Sequence, residues 1–188
     1  MATKAKEIVD IISSDQVYVG NPEAKVTLVE FGEYEDEDCA KANEVVKKLL
    51  QDFDGKIRFQ FRHFPMMRLH QHSMKAGEAS IAATQSGKFW EMHNILFENR
   101  RRLGVTSLKL YSKEAGVNNK HFLDDLLNST YGWQVRHDLN EGIERGVKTV
   151  PAFFVNGEAV EGKPTYEKLS KVIHLALKKS TRKKQQRA

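Results

Sequence analysis

The sequence predicts an α/β fold with a block of helices set into it, and three observations carry that reading. Two short apolar runs, at residues 26–31 and 57–61, flank one amphipathic segment. The stretch from about residue 69 to 145 shows only helical patterning. Strand character then returns at Ala152–Val155, and a tight turn at Asn156-Gly157 and a last amphipathic segment follow. A β-α-β opening implies a parallel strand pair with a right-handed crossover. The later hairpin adds antiparallel strands to the same unit.

Taken in order, Asn21-Pro22 marks a turn before the first run. Val26, Thr27, Leu28, Val29, Glu30 and Phe31 form a short, β-branched, nearly continuous apolar stretch, which suits a strand covered on both faces. After an acidic segment, Ala42, Val45, Val46, Leu49, Leu50 and Phe53 recur at helical spacing, and Asp54-Gly55 closes that helix. Ile57, Phe59 and Phe61 alternate with Arg58, Gln60 and Arg62, the period of a second strand. Breaks at Ser86-Gly87, Gly104, Gly116 and Ser129-Thr130 divide the helical block. Val135, Leu139 and Ile143 share one face of its last helix, before Gly146. The final helix starts near Thr165 and buries Leu169, Ile173 and Leu177 or their neighbours. The expected division is an α/β unit from 14–65 and 146–178, a helical insertion over 66–145, and a basic disordered tail over 179–188.

Composition narrows the function classes. A chain of 188 residues with 40% hydrophobic content can bury one proper core. No segment approaches the roughly 18 to 20 apolar residues of a membrane span. The opening residues lack the apolar centre and cleavage site of a secretory signal, so a cytoplasmic location is the expectation. Cys39 is the only cysteine, which rules out an internal disulfide and a cysteine-based zinc site. Lys178, Lys179, Arg182, Lys183, Lys184 and Arg187 supply six positive charges against a net charge of +5. The basic character is thus a property of the tail, read as solvated chain rather than as a nucleic-acid or anionic-surface contact.

Four segments carry a family resemblance. They are the stretch 24–35 ending in Gly32-Glu33-Tyr34-Glu35, then Arg62-His63-Phe64-Pro65, then Gly87-Lys88-Phe89-Trp90-Glu91-Met92-His93, and finally Val150-Pro151-Ala152-Phe153-Phe154-Val155-Asn156-Gly157. In this order, over about residues 14 to 178, the chain resembles the DsbA-like thiol-disulfide oxidoreductases, which have a thioredoxin fold with an inserted helical domain. In that family a Cys-x-x-Cys motif follows the tyrosine-glutamate pair at the mouth of the first helix. Here those positions read Asp36-Glu37-Asp38-Cys39. The resemblance places Asp36 where the attacking cysteine stands and Cys39 where the resolving one does. It also implies a cis bond at Val150-Pro151, with free backbone groups beside it for an extended peptide.

The chemistry of this replacement is specific. Thiol-disulfide exchange passes through a mixed disulfide that a carboxylate cannot form. A helix N-terminus favours an anion of either kind, so Asp36 suits the same electrostatic niche as an N-cap. Cys39 shares a helical face with Ala42 and Val46 and reads as a small buried hydrophobe. Its alternative reading is a monothiol working with glutathione, which the acids Glu33, Glu35, Glu37 and Asp38 disfavour. Those acids lack the spacing of an EF-hand loop and read as a solvated rim. His70 and His72 face the same way only in extended chain and need ligands from elsewhere, so no metal is assigned. Met66, Met67, Met74 and Phe64 read as packing residues or the lining of an apolar groove, and Phe89, Trp90 and Met92 as inter-helix core. The expected activity is polypeptide binding at Val150 and Pro151 without dithiol turnover, with no cofactor. The alternative is a glutathione-linked enzyme using Cys39.

Overall fold

The computed structural model describes residues 12–185. Five strands form one mixed sheet in the order β1-β3-β2-β4-β5. β2 (Val26–Gly32) and β3 (Ile57–His63) run parallel, from Val26 opposite Ile57 to Gly32 opposite His63, and α1 (Glu37–Asp52) joins them. β4 (Ala152–Val155) lies antiparallel on the other side of β2, and β5 (Glu158–Val160) completes the hairpin. β1 (Val19–Gly20) adds an antiparallel edge to β3 that the hydropathy pattern gave no sign of, since it is two residues long. Five helices, α2 (Ser73–Thr84), α3 (Phe89–Glu98), α4 (Val105–Glu114), α5 (Phe122–Leu127) and α6 (Gly132–Glu144), intervene between β3 and β4. α7 (Tyr166–Gln185) is the last element among the described residues.

The period of two in β2 divides the interior. Val26 and Leu28 join the main core with Cys39, Ala42, Val46 and Leu49 of α1 and with Leu169 and Ile173 of α7. Val29 and Phe31 point the other way, into a smaller cluster with Phe64, Val147 and Phe154. α6 covers that second face closely. A Cβ on Gly142 would lie 2.6 Å from a Phe64 ring carbon, so only glycine permits the approach.

A buried polar clamp ties the helical insertion to the sheet. Asp138 of α6 accepts from Arg62 Nε at 2.7 Å and from Ser14 Oγ at 2.6 Å, and meets His63 Nδ1 at 2.8 Å. Arg62 also pairs with Glu141. Burial pushes the Asp138 carboxyl up, but hydrogen bonds from His63 and the charges of His63 and Arg62 outweigh it and leave it below the ordinary range.

Several expectations need correction. Ile143 is 56% exposed, although Val135 is fully buried, because the buried stripe of α6 runs through Gln134, Val135, Asp138 and Gly142 and leaves Leu139 half-buried and Ile143 outside it. Met67 is exposed as well, while Phe64 is core. α7 continues to Gln185 and so covers most of the segment 179–188 expected to be disordered. Its Lys, Arg and Gln residues are good helix formers and extend a helix already anchored by Leu169 and Ile173. Residues 186–188 lie outside the described residues.

Candidate functional site

β2 ends at Gly32, and four residues then cross to α1. Asp36 is the N-cap, with extended backbone at φ −72° and ψ 132°. Its Oδ1 accepts from the Cys39 backbone N–H at 2.7 Å, satisfying one of the donors that a helix start leaves open. Position 36 therefore holds a carboxyl group against the helix mouth.

Cys39 is free and fully buried. Burial pushes its thiol well above the usual range, and the nearby Glu30 and Asp36 push in the same direction against a hydrogen bond from the Glu33 backbone. The acids that act on it most are thus Glu30 and Asp36.

Glu30 is a site residue that the sequence pattern did not single out. It sits on the Val26 and Leu28 face of β2, is 1% exposed, and its Oε1 has no hydrogen-bond partner. Burial first, and then the charge of Asp36, raise its carboxyl well above the ordinary value. The one signal in the sequence is a single acid inside an otherwise apolar strand.

The acidic segment is not a freely solvated rim. Glu33 is buried, accepts from Glu35 N at 2.9 Å and pairs through Oε1 with His70 Nδ1. Burial raises the Glu33 carboxyl, opposed by the Glu35 N–H and by His70. Glu35 Oε2 accepts from the His72 backbone N–H at 2.7 Å, just before α2. Arg100 pairs with Glu37 at 3.0 Å and donates to the Glu35 carbonyl at 3.4 Å. Glu33 and Glu35 turn inward because the helical insertion supplies donors facing them, whereas Glu37 and Asp38 stay exposed, as a solvated rim would have them. His70 does find help from elsewhere: among the described residues, Glu33, Asp36 and His70 place ligand-type atoms within 4.8 Å of one another. His72 is not part of that group.

The Val150–Pro151 peptide is cis. The β2–β4 register stops at Phe31 opposite Ala152, which leaves Thr149 and Val150 outside the ladder. A cavity of about 890 Å³ runs from Asp38, Lys41 and Val45 on α1 past Val150 and Pro151 to Tyr166. Asp36 and Cys39 do not line it. A second constellation, Ser80–His63–Asp138, has the hydrogen-bond order of a hydrolase triad, with Ser80 Oγ 2.7 Å from His63 Nε2. All three side chains are buried, and Ser80 Oγ donates to the Gly77 carbonyl, so no acyl substrate reaches it.

Comparison with known proteins agrees with this architecture. The family described as Thioredoxin matches residues 13–174. BdbD from Bacillus subtilis, in its oxidised form, superposes with a TM-score of 0.79 at 25% identity over 86% of this chain and 92% of that one. A thioredoxin-like oxidoreductase from Silicibacter pomeroyi gives 0.76 at 26% identity over the same shares of 86% and 92%. A Na(+)/H(+) antiporter NhaA 1 from Salinispora arenicola is 32% identical over 163 residues, which are 86% of this chain and 25% of that protein. The chain therefore spans about a quarter of the length of the curated relatives it matches. No helix among the described residues is long and apolar enough to cross a membrane.

Proposed function

The chain belongs to the thioredoxin family, with the fold of the DsbA-like thiol-disulfide oxidoreductases, and on that premise we propose that it binds extended polypeptide without dithiol turnover. The observation that carries this reading is the contact between Asp36 and the Cys39 N–H above a fully buried Cys39. A carboxylate at the first position cannot open a disulfide, and a buried thiol at the second cannot be attacked from outside. The binding surface is the unpaired segment at Val150 and Pro151 beside the cavity that borders α1. An extended chain pairs there by strand addition, with side chains entering the cavity. A glutathione-linked monothiol is the competing reading, and the burial of Cys39 weighs against it.

Two measurements test the proposal. In an insulin-reduction assay with dithiothreitol or glutathione the native protein is inert, and Asp36→Cys gains turnover. Turnover by the native protein that disappears in Cys39→Ser overturns the loss of redox activity. Hydrogen exchange with carboxymethylated α-lactalbumin as an unfolded probe is expected to slow at residues 149–152. Unchanged exchange there, at saturating probe, overturns the binding surface.

A further inference from the structure

We propose that Glu33, Asp36 and His70 form a binding site for a divalent metal ion of the zinc type, at the mouth of α1. The site is independent of polypeptide binding at Val150 and Pro151.

Three observations support it. First, the donors come from separate places in the chain, the crossing after β2, the N-cap of α1 and the approach to α2, and their ligand atoms lie within 4.8 Å of one another. Second, charge is unbalanced there. Among the described residues, no lysine or arginine forms an ion pair with Glu33 or Asp36, and His70 offers one positive charge at most. Glu37 differs, since Lys41 and Arg100 both pair with it. Third, Glu30 is a buried carboxyl with an oxygen lacking any partner, and the negative charge of Asp36 opposes its ionisation. A cation between Glu33 and Asp36 would relieve that opposition. The positive end of the α1 dipole acts the other way, but it amounts to about half an elementary charge against the carboxylates.

The donor set indicates the class of ion. Two carboxylates and one imidazole suit Zn²⁺ or a similar first-row divalent ion, whereas Ca²⁺ takes oxygen donors and Cu(I) takes sulfur. Zinc sits about 2.0 to 2.2 Å from such donors, which brings them to roughly 3.5 Å apart. Glu33 and His70 already touch and must part to admit an ion, while the other donor spacings, all within 4.8 Å, need at most about 1 Å of closure; both are within reach of side-chain rotation. His70 and Asp36 are both partly exposed, so an ion enters directly from solvent. Three protein donors leave a further position open to water or another ligand.

The experiment uses the full chain without a polyhistidine tag. Calorimetric titration with Zn²⁺ alone is expected to show one ion per chain. His70→Gln and Glu33→Gln each weaken binding by about tenfold or more. Asp36→Asn keeps an N-cap acceptor while removing the charge, and it weakens binding as well. Since any of these variants could fold poorly, Co²⁺ with Asp36→Cys gives a positive readout. A thiolate-to-cobalt charge-transfer band, absent in the native protein, places the ion against position 36. No Zn²⁺ binding by the native protein overturns the site, as does binding that His70→Gln leaves unchanged. Co²⁺ bound to Asp36→Cys without the band also overturns it.

Discussion

Replacing Asp36 tests whether its carboxylate holds the start of α1, and the structure gives the size of the effect. In Asp36→Ala the Cys39 N–H loses an acceptor at 2.7 Å, a cap worth about 1 kcal/mol. Loss of the charge acts in two directions. It forfeits about 0.3 to 1 kcal/mol of attraction to the helix dipole. It also relieves Glu30, whose buried carboxyl Asp36 helps to hold up. Asp36→Asn loses the same charge but keeps an oxygen in the capping position, so comparing the two variants cancels the electrostatic contributions. The alanine variant should be less stable than the asparagine variant by about 1 kcal/mol. That is a difference of roughly 2 to 4 °C in Tm for a chain of this size. Urea unfolding at neutral pH, with equal slopes for both variants, measures it. Coincident midpoints, or a more stable alanine variant, would refute the assignment of Asp36 as the cap.

Three other outcomes follow from the same geometry. A thiol reagent should label Cys39 in the native protein only as fast as the chain opens, and promptly in denaturant, because the thiol is fully buried and its ionisation is suppressed; fast stoichiometric labelling under native conditions contradicts this. Glu30 titrates higher in the folded chain than its ordinary value of 4.5, so its stabilising contribution is complete below about pH 4.5 and declines as pH rises toward the folded value. Glu30→Gln cannot ionise and should gain on the native protein as pH is raised from about 5, by at most about 1.4 kcal/mol for each pH unit until the folded carboxyl ionises, and a Tm difference that stays constant from about pH 5 to 9 would show that Glu30 is not displaced. Asp138→Ala leaves Arg62 and His63 buried without their shared acceptor and should cost about 3 to 5 kcal/mol in urea unfolding. A cost below about 1 kcal/mol would mean that the clamp is not what holds α6 to the sheet.

The elements set by local pattern were legible in the sequence. Alternation at Ile57, Phe59 and Phe61 gave β3, and the spacing of Ala42, Val46 and Leu49 gave the buried face of α1. Asp36 as an N-cap and Cys39 as a buried residue also follow from residue type and position. Contacts between distant segments were not legible. Ser14 meets Asp138 across 124 residues, and Glu33 meets His70 across 37. Neither has a periodic signal, because each depends on where the helical insertion docks. Ile143 was misplaced because the face that docks on the sheet is centred on the polar Asp138 and on Gly142, which an apolar period does not mark. Lys, Arg and Gln in the last segment read equally as solvated chain or as continued helix, and only the anchoring of α7 by Leu169 and Ile173 decides between them.

The same side-chain types occur in two settings here, and burial separates what each can do. His63 bridges Asp138 and Ser80 with its polar contacts supplied from within the chain, on side chains almost closed to solvent. That set is complete, and its effect is to fix α2 and α6 to β3. His70 meets Glu33 near the partly exposed Asp36, with a surplus of carboxylates that, among the described residues, no lysine or arginine pairs with. That set is incomplete in charge and open to solvent on one side. A saturated buried network adds stability or register, whereas an unsaturated one at the surface can still gain a partner. On the proposed reading, Asp36 stands where such a fold's thiol chemistry keeps its anion, with a hard oxygen donor in place of a soft sulfur one. On that reading, the partner of this site is a cation rather than a disulfide.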